Sequence, residues 1–133
     1  MAFMKVKNED IVEASAGILY LLVIDIEDVS LVKIGVTQRK IQDRVVEILT
    51  SIFHKYRVFP RTYPKRYSTT SDVYKKEADM HRYFKAVKYT PEHKFNGSDE
   101  MFLVDDMEHL LDVYHKVIDG YDLRKDQPYS KGP

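Results

Sequence analysis

Seven apolar residues run without a break from Ile18 to Ile24, directly after Gly17. A run of that length reads as a strand covered on both faces. Glu27 to Ser30 is a polar turn, and Leu31 to Val36 alternates as its hairpin partner would. Beyond Thr37 the period changes. Ile41, Val45, Ile48, Leu49 and Ile52 fall on one helical face, with Thr37 placed to cap a helix beginning near Gln38. Tyr56 to Tyr67 is aromatic and basic and contains Pro60 and Pro64. It predicts a short strand near Arg57 to Phe59 and then a loop, since each proline removes a ladder donor. A second helix opens at Thr70 or Ser71 and runs to about Val87, with Val73, Met80, Phe84 and Val87 on one face. Tyr89 to Asp99 reads as loop and Met101 to Val104 as a short strand. Asp105 and Glu108 form a capping-box-like start to a third helix. Met107, Leu110, Leu111, Tyr114 and Ile118 are its stripe, and Gly120 ends it.

These elements give an α+β fold: a small, mainly antiparallel sheet of about three to four strands flanked by three helices. The expected division is an extension over 1–16, one domain over 17–121 and a polar, mobile tail over 122–133, which contains Pro128 and Pro133. The length of 133 residues suits one domain. There is no cysteine, which excludes disulfides and thiolate metal sites and points to a reducing, cytoplasmic setting. The N-terminus lacks a signal-peptide layout. The longest apolar run stops at Asp25, far short of the roughly 20 residues that span a bilayer, so no membrane partner is expected.

Net charge is zero, but it is unevenly spread. Val32 to Lys94 holds fifteen Lys or Arg against six acids, a balance of +9, and the flanks carry −9. Such segregation suits a surface facing a polyanion. The stretch from Lys55 to Arg66 has five basic residues and no acid, with Tyr56, Phe59 and Tyr63 among them. Arg39, Lys40, Arg57, Arg61, Lys65 and Arg66 are the candidate phosphate contacts. The same stretch equally describes an edge strand guarded by charge and proline.

The candidate chemistry sits elsewhere. A hairpin turn centred between Asp28 and Val29 sets Ile24 opposite Lys33 and Leu22 opposite Gly35. Tyr20, Lys33 and Gly35 then share one face, and the missing side chain of Gly35 leaves a hollow. Arg44 lies at the edge of the first helix's buried face. Glu77 falls on the apolar stripe of the second helix, where a carboxylate must be paired, protonated or metal-bound. His81 follows at i+4, so both can point into one site. The pair alone describes a structural Glu–His hydrogen bond as readily as a metal site.

Gly17-Ile18-Leu19-Tyr20, Lys33-Ile34-Gly35, Arg44 and Glu77 follow one another in an order and spacing that resembles the GIY-YIG endonuclease superfamily. The Lys-Ile-Gly-x-Thr of Lys33 to Thr37 resembles its phage-associated branch. So do the histidine and aromatic after the glutamate, His81 and Phe84, and the Gly97 to Phe102 element. The resemblance covers about residues 17 to 104. It implies a DNA endonuclease hydrolysing phosphodiester bonds, of phage or mobile-element origin and, if phage-encoded, at work in the bacterial host cytoplasm. It implies Glu77 as the ligand of one Mg2+ or Mn2+, Tyr20 as the group that helps activate water, and Arg44 as the cation on the scissile phosphate. The implied catalytic set is Tyr20, Lys33, Arg44, Glu77 and His81. A tyrosine has a reference pKa of about 10, so as a base it needs a nearby cation. Lys33, which replaces the second motif's tyrosine, is placed to supply one. The implied partners are DNA and either a second copy of the chain or a separate recognition protein. Two other functions stay open: an inactive DNA-binding regulator on the same fold, and a protein-interaction domain.

Overall fold

The computed structural model describes residues 16–26 and 28–130; the expected extension over 1–16 lies almost wholly outside them. The strand with the unbroken apolar run, β1 (Gly17–Ile26), has a neighbour on each side. β2 (Val29–Thr37) and β3 (Arg61–Thr70) both pair with it antiparallel, and the two-residue β4 (Met101–Phe102) adds to the far side of β2. The sheet order is β3-β1-β2-β4.

Both faces of β1 are covered. Leu19 and Leu21, with Val32 and Ile34 of β2, pack beneath α2 (Val73–Tyr83) and α3 (Met107–Ile118). Tyr20, Leu22, Ile24 and Leu31 pack on the other face beneath α1 (Ile41–Tyr56), through its Ile41, Ile48 and Ile52. Burying two faces is why the β1 run is continuous rather than alternating. The expected α+β architecture is the one observed, with four strands and three main helices.

Several boundaries differ from the sequence reading. The hairpin ladder closes at Ile26–Val29, so Ile24 faces Leu31 and Leu22 faces Lys33, two residues away from the expected pairing. The longer ladder satisfies backbone groups that a wider turn would leave to solvent. A two-residue slip keeps every side chain on its face, so Tyr20, Lys33 and Gly35 still share one. Thr37 does not cap α1: it ends β2, and its Oγ1 accepts the Arg39 N–H at 3.1 Å. Arg57 is not in a strand; it terminates α1 in the left-handed region (φ 62°).

The strand expected near 57–59 is instead β3, where a loop was expected. β3 is an edge strand, which tolerates Pro64 because one side of its ladder needs no donor. A bulge takes up Lys65: Leu21 pairs with Arg66 and Leu22 with Pro64. The second helix ends at Tyr83 rather than Val87, because the chain turns to bond β4: the Leu103 N–H reaches the Val87 carbonyl at 2.8 Å and the Tyr89 N–H that of Met101 at 2.9 Å.

Asp106, not Asp105, caps α3, accepting the His109 N–H at 3.0 Å. Gly120 (φ 99°) ends this helix as expected: the Gly120 N–H reaches Val117 and the Tyr121 N–H reaches Lys116. The segment after Tyr121, expected to be mobile, packs back on the domain. Leu123 is buried, and the Tyr129 N–H donates to the Tyr83 carbonyl at 2.8 Å, with the Tyr129 ring beside Phe84 and His109. Among the described residues no helix is long and apolar enough to cross a membrane.

Candidate active site

The site forms where the sheet runs out of strands. β4 pairs only with Val32 and Lys33, so β2 from Ile34 onward has no strand on that side. Tyr20 lies directly across from Gly35 on the α1 face, and a Cβ on Gly35 would fall 2.6 Å from the Tyr20 hydroxyl and 2.7 Å from Lys33 Nζ. The expected hollow at Gly35 is therefore filled by these two side chains. Tyr20 has no solvent-exposed surface, and Arg44 Nε donates to its hydroxyl at 3.3 Å.

Arg44 comes from the first turn of α1 and is held on three sides. Besides Tyr20 it contacts Asn96 Oδ1 at 3.2 Å and forms an ion pair with Glu47. Burial opposes its charge, but Tyr20 and then Glu47 outweigh that and favour the charged form. Glu47 also takes Arg39 at 2.8 Å, and its carboxyl is held below the usual range chiefly by Arg39, with Arg44 adding to the effect.

Lys33 is wholly buried, an unusual place for a lysine. Its ammonium pairs with Glu100 and lies 5.2 Å from the Tyr20 ring centroid. Glu77 is half-buried on α2. Its carboxyl is pushed up to about 7, first by burial and then by the Glu100 charge, while Lys33 pulls the other way.

His81 is placed at the open edge of β2. Its Nε2 lies 2.7 Å from the Ile34 carbonyl, so that nitrogen carries the proton and donates, doing for Ile34 what a further strand would have done. Burial lowers its affinity for a second proton. Its Nδ1 is left as the acceptor.

A family model matches residues 17–121, the span from the first residue of β1 to the turn that closes α3. The chain belongs to the T5orf172 domain family. That domain is found in phage-associated and GIY-YIG-like nuclease-type proteins. No curated protein and no solved structure matches the chain.

In this T5orf172 domain the five residues Tyr20, Lys33, Arg44, Glu77 and His81 come from β1, β2, α1 and α2 and converge on one end of the sheet. The six basic residues do not form one cluster. Arg39 and Lys40 follow Thr37, at the end of the sheet where Gly17 pairs with Thr70. Arg61 pairs with Asp25 at the hairpin end, roughly 25 Å away by strand rise, with its guanidinium 5.5 Å from the Tyr63 ring centroid. Arg57 precedes it on that side. Arg66 stands opposite Leu21, nearer the site but on the sheet face away from Tyr20. The Lys65 bulge and the alternation of β3 divide its charges between faces.

Glu100, Asn96 and Glu47 were not among the expected site residues. Glu100 carries the one signal the sequence offered, its place in the Gly97 to Phe102 element. Asn96 and Glu47 have no motif and are found only through what they touch. Among the described residues no group of three or more His, Asp or Glu converges as a metal cage. The donor that fits a divalent ion is the Glu77 carboxylate, a hard oxygen ligand half-buried at the open edge of β2. Magnesium commonly takes one or two carboxylates and keeps its waters.

Proposed function

We propose that this domain is a metal-dependent DNA endonuclease that hydrolyses phosphodiester bonds at the Tyr20–Arg44–Glu77 site. The observation that carries the reading is the buried Tyr20 hydroxyl receiving Arg44 Nε, with the Lys33–Glu100 ion pair against the same ring. A phosphodiester resists attack because of its own charge, so its hydrolysis needs fixed positive charge and a proton acceptor. Arg44 supplies the charge. Its Nε and Nη1 are engaged, and among the described residues Nη2 is free to meet a phosphate oxygen.

Tyr20, once its own proton has left, accepts the proton of the attacking water as the phenolate, the form that the two cations beside it favour. Lys33 keeps positive charge against the Tyr20 ring. Glu77 holds Mg2+ or Mn2+. The ion, when bound, supplies Lewis acidity at the phosphate. His81 holds the open edge of β2 and presents Nδ1 as a second proton acceptor. Arg39 and Lys40 are the phosphate contacts nearest the site, and Arg66 meets DNA from the other face of the sheet. Arg57, Arg61 and Lys65 meet DNA further along it. A second copy of the chain or a separate partner supplies recognition and a second cut.

A DNA-binding regulator on the same fold is the second reading. It is favoured by one observation: Glu47 and Glu100 already pair with Arg44 and Lys33. Duplex DNA titrated at two salt concentrations, then incubated with and without magnesium, separates the two. Salt-sensitive binding followed by magnesium-dependent cleavage supports the endonuclease. Salt-sensitive binding without cleavage supports the regulator. Absence of both contradicts either reading.

A further inference from the structure

One short segment touches both cations of the site. Asn96 Oδ1 accepts from Arg44 Nη1 at 3.2 Å. At Gly97 (φ 89°) the backbone lies against the Lys33 stem, and a Cβ there would fall 3.1 Å from Nζ and closer still to Cε. Glu100 takes the Lys33 ammonium. A turn joins the three, with the Glu100 N–H on the Gly97 carbonyl at 3.1 Å. The segment is itself tied to α1: the Asn96 N–H donates to Ser51 Oγ at 2.8 Å, and Asn96 Nδ2 donates to Glu47 at 3.2 Å.

We infer that residues 96–100 are a positioning segment that fixes Lys33 and Arg44 relative to Tyr20, with Asn96 acting through Arg44 and Glu100 through Lys33. The inference rests on the Tyr20 site being the reactive one. Two long side chains carry about 2 kcal/mol of rotamer entropy each, so neither keeps one geometry unless something holds it. For Lys33 the holding is needed twice over, since a buried ammonium without a partner is strongly destabilising. A methionine or leucine would fill the same slot at less cost. What the lysine adds is charge against Tyr20, delivered at one place. Neither Asn96 nor Glu100 contacts Tyr20 in any hydrogen bond described above, so both are positioning residues rather than catalytic ones.

The test is a pair of double-variant cycles on the full chain, with thermal unfolding checked for each variant. Glu100→Gln is expected to slow DNA cleavage roughly 10- to 100-fold, mainly in kcat, and to add nothing further in a Lys33→Met background. Asn96→Ala is expected to behave likewise toward Arg44→Lys. Effects that multiply in both cycles overturn the inference. A second readout does not depend on cleavage. In 15N NMR spectra the Arg44 Nε–H and the Lys33 ammonium protons are expected to exchange slowly, and to lose that protection in Asn96→Ala and Glu100→Gln respectively. Protection unchanged in both variants also overturns the inference. Lost protection in a protein that cuts no DNA keeps the positioning segment and removes the nuclease reading.

Discussion

The stem of Lys33 occupies the space that a side chain at residue 97 would need. Gly97 is thus required twice, by its left-handed backbone and by the lysine against it. Gly120 makes a useful contrast, because its φ is also positive but nothing lies within 4 Å of a Cβ there. Gly120→Ala is expected to cost about 1 kcal/mol, from backbone conformation alone. Gly97→Ala is expected to cost about 1–3 kcal/mol more, from the clash. Urea unfolding of both variants checks the difference; equal costs would mean that Lys33 does not lie against Gly97.

Tyr114 joins α3 to the central strand. Its hydroxyl is buried and donates to the Leu19 carbonyl at 2.6 Å, and burial raises the pKa of its phenol. Tyr114→Phe is expected to lower stability by about 1–3 kcal/mol, since it leaves a buried carbonyl without that donor. Cleavage of DNA at low temperature should be little changed. A variant as stable as the parent would show that the carbonyl finds another partner.

The start of α3 gives a second pairwise comparison. Asp106→Ala removes the acceptor of the His109 N–H and is expected to cost about 1 kcal/mol. Asp105→Ala leaves the His109 N–H bond in place and is expected to cost less than Asp106→Ala. The reverse order in thermal unfolding would return the cap to Asp105.

Glu77 should leave a pH signature in the metal-free protein. Its carboxyl is raised from 4.5 to about 7 on folding, so between those values the folded state binds more protons than the unfolded one. Stability from this group is then full below about pH 4.5 and is lost as pH rises toward 7. His81 acts in the opposite sense: burial lowers its pKa, so its contribution is full above 6.5 and is lost as pH falls through that region. The useful quantity is therefore the difference between parent and Glu77→Gln. The parent's melting temperature is expected to fall relative to the variant from pH 5 to 7.5. A flat difference would show that Glu77 titrates as an ordinary surface carboxylate.

The sequence pattern carried the sheet's centre and the helices well, for a physical reason. β1 and β2 bury whole faces, and α1 and α3 bury a stripe, so their periods are set by packing. β3 was misplaced, because an edge strand half open to solvent needs no apolar alternation and tolerates Pro64; the reading of Lys55 to Arg66 as an edge strand guarded by charge and proline was the nearer one. The site was partly legible. Glu77 stood out as an acid on an apolar stripe, and Lys33 as a cation on a strand face shared with Tyr20. The error in the hairpin register was harmless to this reading only because it was even. Glu100 and Asn96 were not legible as partners of Lys33 and Arg44, since side-chain contacts between residues 67 and 52 positions apart leave no periodic trace.

The most direct test is nicking of supercoiled plasmid by the purified protein at low salt, with magnesium or manganese, beside Glu77→Ala. The account predicts metal-dependent conversion to open circles, lost in the variant while its binding to DNA persists. Equal nicking by parent and Glu77→Ala would contradict it, because the metal-binding carboxylate would then lie elsewhere.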